Sequence, residues 1–246
     1  MDQEFFLLNL AVLVASALQS ATGIGFGVIA GPILLIVLND GSAIQISIAL
    51  NLLIAVILSP FLWNNVDRSI LRNFVVGLAI GSPLGLLVFL NIDITMLKAI
   101  AGIGILITLY FTLKGMRSRS GEQGPIADKT RQIPVGIVAG IMGVCLAMPG
   151  PIPAAWMSAR AFDKETIRAT ILVMFVVSYA IAMGLQFAIV GVGVDTLRLS
   201  FLLAPATLLG ILAGHLISHR ITAITFRRIL VAILASTVLV LFSTLL

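Results

Sequence analysis

Two hydrophobic stretches of this chain are broken by glycine and proline, and they stand at matching places in its two halves. The first runs Gln19-Ser20-Ala21-Thr22-Gly23-Ile24-Gly25-Phe26-Gly27 and on to Gly31-Pro32-Ile33. The second runs Gly140-Ile141-Met142-Gly143-Val144-Cys145-Leu146-Ala147-Met148-Pro149-Gly150-Pro151-Ile152-Pro153. Three longer apolar segments follow each break. A bilayer leaves no water to satisfy a stray N–H or C=O. A break at membrane depth therefore persists only where it is buried in protein or lines a wet cavity. Paired breaks in two halves are the sequence mark of a transporter's binding site.

The rest of the chain supports a membrane setting. It has 246 residues, 60% hydrophobic and only 10% charged, where a soluble domain carries about 25% charge. The formal charge of +5 does not point to nucleic acid, because the basic residues sit in short loops between apolar runs, where they set topology. The single cysteine, Cys145, rules out an internal disulfide and a multi-cysteine metal site. Asp2 and Glu4 precede the first apolar run and no basic residue does, so that run does not read as a signal peptide.

Apolar runs fall at 5–22, 26–38, 43–62, 70–90, 95–113, 133–146, 150–159, 169–190, 199–218 and 225–246. A spanning helix needs about 20 residues. The second, sixth and seventh runs are too short and the first is marginal. Each broken pair is then one interrupted crossing or a hairpin that re-enters the same side. The 15 basic residues decide between them. With hairpins and the N-terminus outside, only Lys98 and Arg198 lie outside and the other 13 lie inside. With single crossings the split is 7 against 8, which is no bias.

The sequence therefore predicts an all-α polytopic membrane protein built as an inverted repeat. Each half is a broken, re-entrant helical hairpin followed by three transmembrane helices. Residues 1–114 form the first repeat, 115–132 a polar cytoplasmic linker and 133–246 the second repeat, with both termini extracytoplasmic. Other matches run in the same order through both halves. Val66-Asp67 resembles Val194-Asp195, and Gly81 and Gly85 match Gly210 and Gly214.

Gly23-Ile24-Gly25-Phe26-Gly27, with Pro32 five residues later, resembles the GxGGGxxxxP signature of the sulfite exporter TauE/SafE family, also called the 4-toluene sulfonate uptake permeases. The two-half layout and the Gly81/Gly85 pair are similar to that family as well. The resemblance spans nearly the whole chain and implies a bacterial-type secondary transporter in the cytoplasmic (inner) membrane. It also implies a cargo of sulfite, organosulfonates or related small anions, moved in or out. The chain departs from the signature twice. Phe26 replaces the middle glycine, and Cys145, Leu146 and Ala147 stand where glycines are expected in the second half.

The expected site lies between the two breaks. Helix N-termini there offer unpaired N–H donors and partial positive charge to an anion, and glycine lets backbone approach a ligand. The residues expected at this site are Gln19, Ser20, Thr22, Gly23, Gly25 and Gly27 at the first break, and Met148, Pro149, Gly150 and Pro151 at the second. Asn51 on the run after the first break joins them, with Thr170, Ser178 and Tyr179 on its counterpart. Pro32 and Pro151 suit the first turn of a returning half-helix. Close helix packing by small residues and interhelical hydrogen bonding are the plainer readings of the same residues. No acid lies inside a confident span, which favours an anionic or neutral cargo over a cation.

His215 and His219 share one helix face and read either as a proton relay, giving proton coupling, or as an interfacial pair. Arg160, Lys164 and Arg168 read as anchors of the positive-inside face, with Arg160 alternatively placed to attract anions from the cytoplasm, and Trp63 and Trp156 read as interfacial or packing aromatics. The sequence shows no nucleophile–base pair, nucleotide motif or cofactor motif. A permease for another small organic anion such as a carboxylate, and a non-transporting membrane scaffold, remain the alternatives.

Overall fold

Aspartate side chains begin four of the helices. The computed structural model describes residues 2–23, 25–117, 131–160 and 162–218, with scattered residues beyond 230. Asp67 Oδ1 accepts from the N–H groups of Ser69 and Ile70, both at 3.0 Å, and Asp163 Oδ1 accepts from Thr166 at 2.9 Å. Asp40 and Asp93 do the same for Ser42 and Met96. Each satisfies donors that the first helical turn leaves without partners. Among the described residues the acids thus sit at or near helix starts, outside the apolar middles.

Nine helices follow among the described residues: α1 (Asp2–Thr22), α2 (Phe26–Leu38), α3 (Ser42–Leu62), α4 (Arg68–Asn91), α5 (Ile94–Arg117), α6 (Gln132–Leu146), α7 (Pro151–Ser158), α8 (Lys164–Leu185) and α9 (Val194–Ser218). A π-turn over Gln186–Val190 extends α8. Five of the helical segments are long and apolar enough to cross a membrane. The protein is an all-α, multi-pass membrane protein. Most of the last apolar run, His219 and most of the 115–132 linker lie outside the described residues. α5 continues through Arg117, into the first residues of that segment.

The first hairpin also differs from expectation. Its first arm is not short: α1 has 21 residues, about 31 Å at 1.5 Å per residue, enough to reach across the hydrocarbon layer. The polar residues Asp2, Gln3 and Glu4 extend the helix beyond the apolar run. Its return arm α2 has 13 residues, and Pro32 lies in the interior of α2 rather than in its first turn. Proline has no N–H to give the Val28 carbonyl one turn back. Pro151 does open α7.

The two halves clasp one another. In the second half α6 packs along α4 of the first, and in the first half α1 packs along α9 of the second. These are one relationship seen twice, with the halves exchanged. α3 and α8 meet between them. Glycine makes both seams possible. A Cβ on Gly81 would run into the Ile137 carbonyl, and one on Gly85 would stand 2.6 Å from the Ile141 oxygen. Gly210 and Gly214 face Leu13, Ser16 and Ala17 of α1 in the same way. Small residues at such seams let helix backbones touch and maximise van der Waals contact, the main attraction between helices in lipid.

Candidate functional site

Both breaks end in a residue with left-handed backbone. Gly23 has φ 86° and Ala147 has φ 55°. They close α1 and α6 respectively, by Gly23 N–H to Gln19 O at 2.7 Å and by Met148 N–H to Met142 O at 3.1 Å. Ala147, alone of Cys145, Leu146 and Ala147, thus occupies the position of a break glycine. Counting on from it, Pro149 and Pro151 fall where Gly25 and Gly27 do. An alanine in this conformation costs about 1–2 kcal/mol, and its surroundings hold it: Tyr179 donates its hydroxyl to the Ala147 carbonyl at 3.0 Å.

The two breaks meet. A Cβ on Gly27 would run into that same Ala147 oxygen and come within 3.4 Å of Met148. Between them lies a small space with room for about one water molecule. Gln19, Gly25, Gly27 and Val28 line it from the first half. Ala147, Met148, Gly150, Pro151, Phe175 and Tyr179 line it from the second.

The donors here are unequal. Phe26, the first residue of α2, gives its N–H to Gln19 Oε1 at 2.9 Å. The N–H groups of Gly27 and Val28 follow in the first turn, where the helix supplies no acceptor. α7 begins Pro151-Ile152-Pro153, so its first turn holds two residues without any N–H. Its N-terminus keeps the dipole but offers few hydrogen bonds. Backbone donors at the meeting of the two breaks therefore come mainly from α2.

Gln19 ties this turn to α3, donating from Nε2 to Asn51 Oδ1 at 3.1 Å. Asn51 in turn donates to the Ser47 carbonyl at 2.9 Å. Gln19, Ser47 and Asn51 are all buried. The Oγ atoms of Ser47 and Ser178 are buried without a hydrogen-bond partner. Ser178 lies at the other end of the same region, 2.7 Å from where a Cβ on Gly143 would be.

Other expected residues stand elsewhere. Ser20 Oγ donates to Ile211 O at 3.0 Å across the α1–α9 seam. Thr22 Oγ1 turns back onto Leu18 O at 2.7 Å. Thr170 Oγ1 accepts from the Asp67 N–H at 3.0 Å, at the connection that leads into α4. Pro149 packs beside Gly143. Gly23 packs on Arg168, with a hypothetical Cβ 2.7 Å from Arg168 Cγ. Val28 and Phe175 were not expected. Phe175 could have been found from its position one turn before Tyr179, whose ring it meets edge-on at 5.4 Å.

Two further polar contacts flank the region. Gln45 Nε2 on α3 donates to Gln186 Oε1 and to Gly191 O, both at 3.0 Å. Lys98 on α5 donates from Nζ to Asn39 Oδ1 at 2.7 Å, placing a cation at the C-terminal end of α2, where the dipole favours it. Arg160 lies over the Trp156 ring at 3.9 Å and donates to the Trp156 carbonyl at 3.3 Å. Among the described residues no three His, Cys, Asp or Glu side chains gather as a metal site.

Comparison with known proteins agrees with this architecture. The family model described as "Sulfite exporter TauE/SafE" matches residues 8–241. Neither a curated protein nor a solved structure matches the chain. Nearly the whole chain, both breaks included, thus falls within one family of membrane transport proteins: the protein belongs to the sulfite exporter TauE/SafE family.

Proposed function

We propose that the protein is a secondary transporter of small sulfur-containing anions, sulfite or an organosulfonate, across the cytoplasmic membrane by alternating access. The observation that carries this reading is the meeting of the two breaks, Gly27 of one half against the Ala147 carbonyl of the other. A ligand held there touches both halves, so rocking one against the other exposes it to either side in turn. The space is smaller than any sulfur oxyanion, so the two breaks must part to admit one.

The chemistry suits the cargo. A sulfite or sulfonate head presents two or three acceptor oxygens. The first-turn N–H groups of Gly27 and Val28 supply backbone donors for such a head, and Gln19, bonded to Phe26 and Asn51, holds that turn in place. Among the described residues no carboxylate lines the space to repel an anion. Phe175, Met148 and Pro151 give the remaining wall an apolar character that suits an organic tail. Sulfite, thiosulfate, sulfoacetate, taurine and acetate should be compared in proteoliposomes with and without a proton gradient. Saturable flux of the sulfur anions alone supports the reading. Flux of acetate instead would move the cargo to carboxylates, and silence to all from well-folded protein would favour a scaffold.

A further inference from the structure

Arg168 of the second half reaches across to the first break. One terminal nitrogen of its guanidinium donates to the Ser20 carbonyl, in the last turn of α1, where carbonyls lack helical partners. Its aliphatic stem forms the surface on which Gly23 sits: a Cβ there would stand 2.7 Å from Cγ and 3.2 Å from Cα of Arg168. Gly23 is thus held to glycine twice, by its φ of 86° and by this contact. The Arg168 Nε–H is buried and has no partner. Glu165, three residues earlier, is exposed and accepts from Asn65 Nδ2 at 3.4 Å, and its charge also acts on the Arg168 guanidinium.

We propose that Arg168 is the latch that holds the first break closed against the second half on the cytoplasmic side, and that its guanidinium passes to the anion when the halves part. This rests on the transport reading above. The contact joins the two bodies that must separate, and it is made by a charged group to a single backbone carbonyl. An anion oxygen offers a stronger acceptor than that carbonyl. The stranded Nε–H gives a further reason to exchange, because an anion with two acceptor oxygens satisfies Nε and a terminal nitrogen together, as carboxylates do. Arg168 lies in the second turn of α8, near the end that the basic-residue count places in the cytoplasm. The latch is therefore one-sided. On the other face, the neutral pair Gln45 and Gln186 joins α3 to α8.

The test reads the latch with and without cargo. In a Cys145→Ser background, Thr22→Cys beside the break is labelled with an impermeant maleimide in inside-out vesicles, with Arg168 intact, Arg168→Lys or Arg168→Gln. The expected result is labelling at least tenfold faster in Arg168→Gln, with Arg168→Lys intermediate. Equal rates in all three overturn the latch, whatever the protein carries. Sulfite flux is then measured from each face in variants that elute as a single species. Arg168→Gln should raise KM for sulfite on the cytoplasmic face at least tenfold and leave the outer KM unchanged. An equal fall in Vmax from both faces with unchanged KM would mean a purely structural arginine. Faster labelling in Arg168→Gln with a wild-type protein silent to every sulfur anion would leave the latch standing and overturn the transport reading.

Discussion

Gln19 and Asn51 share one hydrogen bond, Nε2 to Oδ1 at 3.1 Å, and through it the first break is fixed to α3. Gln19 is the pivot, because its Oε1 also accepts the first N–H of α2. A Gln19→Leu variant strands the Phe26 N–H and removes the donor to Asn51. Each stranded buried group costs about 1–3 kcal/mol. The expected outcome is a melting temperature lower by several degrees in detergent and flux reduced at least tenfold. Asn51→Leu should be milder, since the Phe26 bond survives. The double variant should lose less than the sum of the two, because both single changes remove the same bond. Equal effects, or full additivity, would count against Gln19 as the pivot.

The glycine seams predict a sharp contrast between positions. Gly81→Ala and Gly210→Ala place a methyl group against backbone of the facing helix, at Ile137 and Leu13 respectively. Backbone cannot step aside as a flexible side chain can. Both variants should therefore give little folded protein on size-exclusion chromatography. Gly184 on α8 is exposed and would meet nothing within 4 Å. Gly184→Ala should be neutral or stabilising by up to about 1 kcal/mol, the helix propensity difference. Comparable losses at all three positions would mean that the seams are looser than described.

The breaks and seams were legible in the sequence because glycine and proline are punctuation that survives any context. Gly25, Gly27, Gly150 and Pro151 line the meeting point of the two breaks, and Gly81 pairs across the halves as Gly210 does. What the sequence hid has physical reasons. The length of α1 was underread because Asp2, Gln3 and Glu4 are polar yet still helical. Ala147 carries no mark of its left-handed backbone, since that conformation is imposed by tertiary contacts. Thr170 and Ser20 look like site hydroxyls on an apolar helix, but each is taken by a backbone partner more than 100 positions away. Arg168 was read as one anchor among three for the same reason, as its contact with Ser20 spans 148 positions.

Asp163 gives a pH-dependent prediction at the start of α8. Its hydrogen bonds to Thr166 hold the carboxyl below its ordinary value of 3.8. A carboxyl lowered on folding stabilises the fold above its unfolded value, and the contribution fades as pH falls through the folded one. Asp163→Ala should cost about 1 kcal/mol at neutral pH. The gap to wild type should narrow below about pH 4. Asp163→Asn caps without titrating, so it should stay near wild type at neutral pH. Melting curves of the three proteins between pH 7 and pH 3 check this, and a gap independent of pH would rule out the capping carboxylate as its source.

Tyr179 and Ala147 make the final prediction, about how the second break is held. The Tyr179 hydroxyl donates to the carbonyl of a residue in a conformation that alanine rarely adopts. Tyr179→Phe keeps the ring against Phe175 and removes only that bond, an expected loss of about 1 kcal/mol. Ala147→Gly removes the steric cost of the left-handed backbone and needs no hydroxyl to hold it. It should therefore recover much of the stability lost in Tyr179→Phe. Because the same carbonyl faces Gly27, loosening it should also blunt transport, and flux in Tyr179→Phe should fall by more than its stability does. Melting and flux of the two single variants and the double decide the matter. If Ala147→Gly fails to restore stability in the Tyr179→Phe background, the hydroxyl is not what keeps the break in shape.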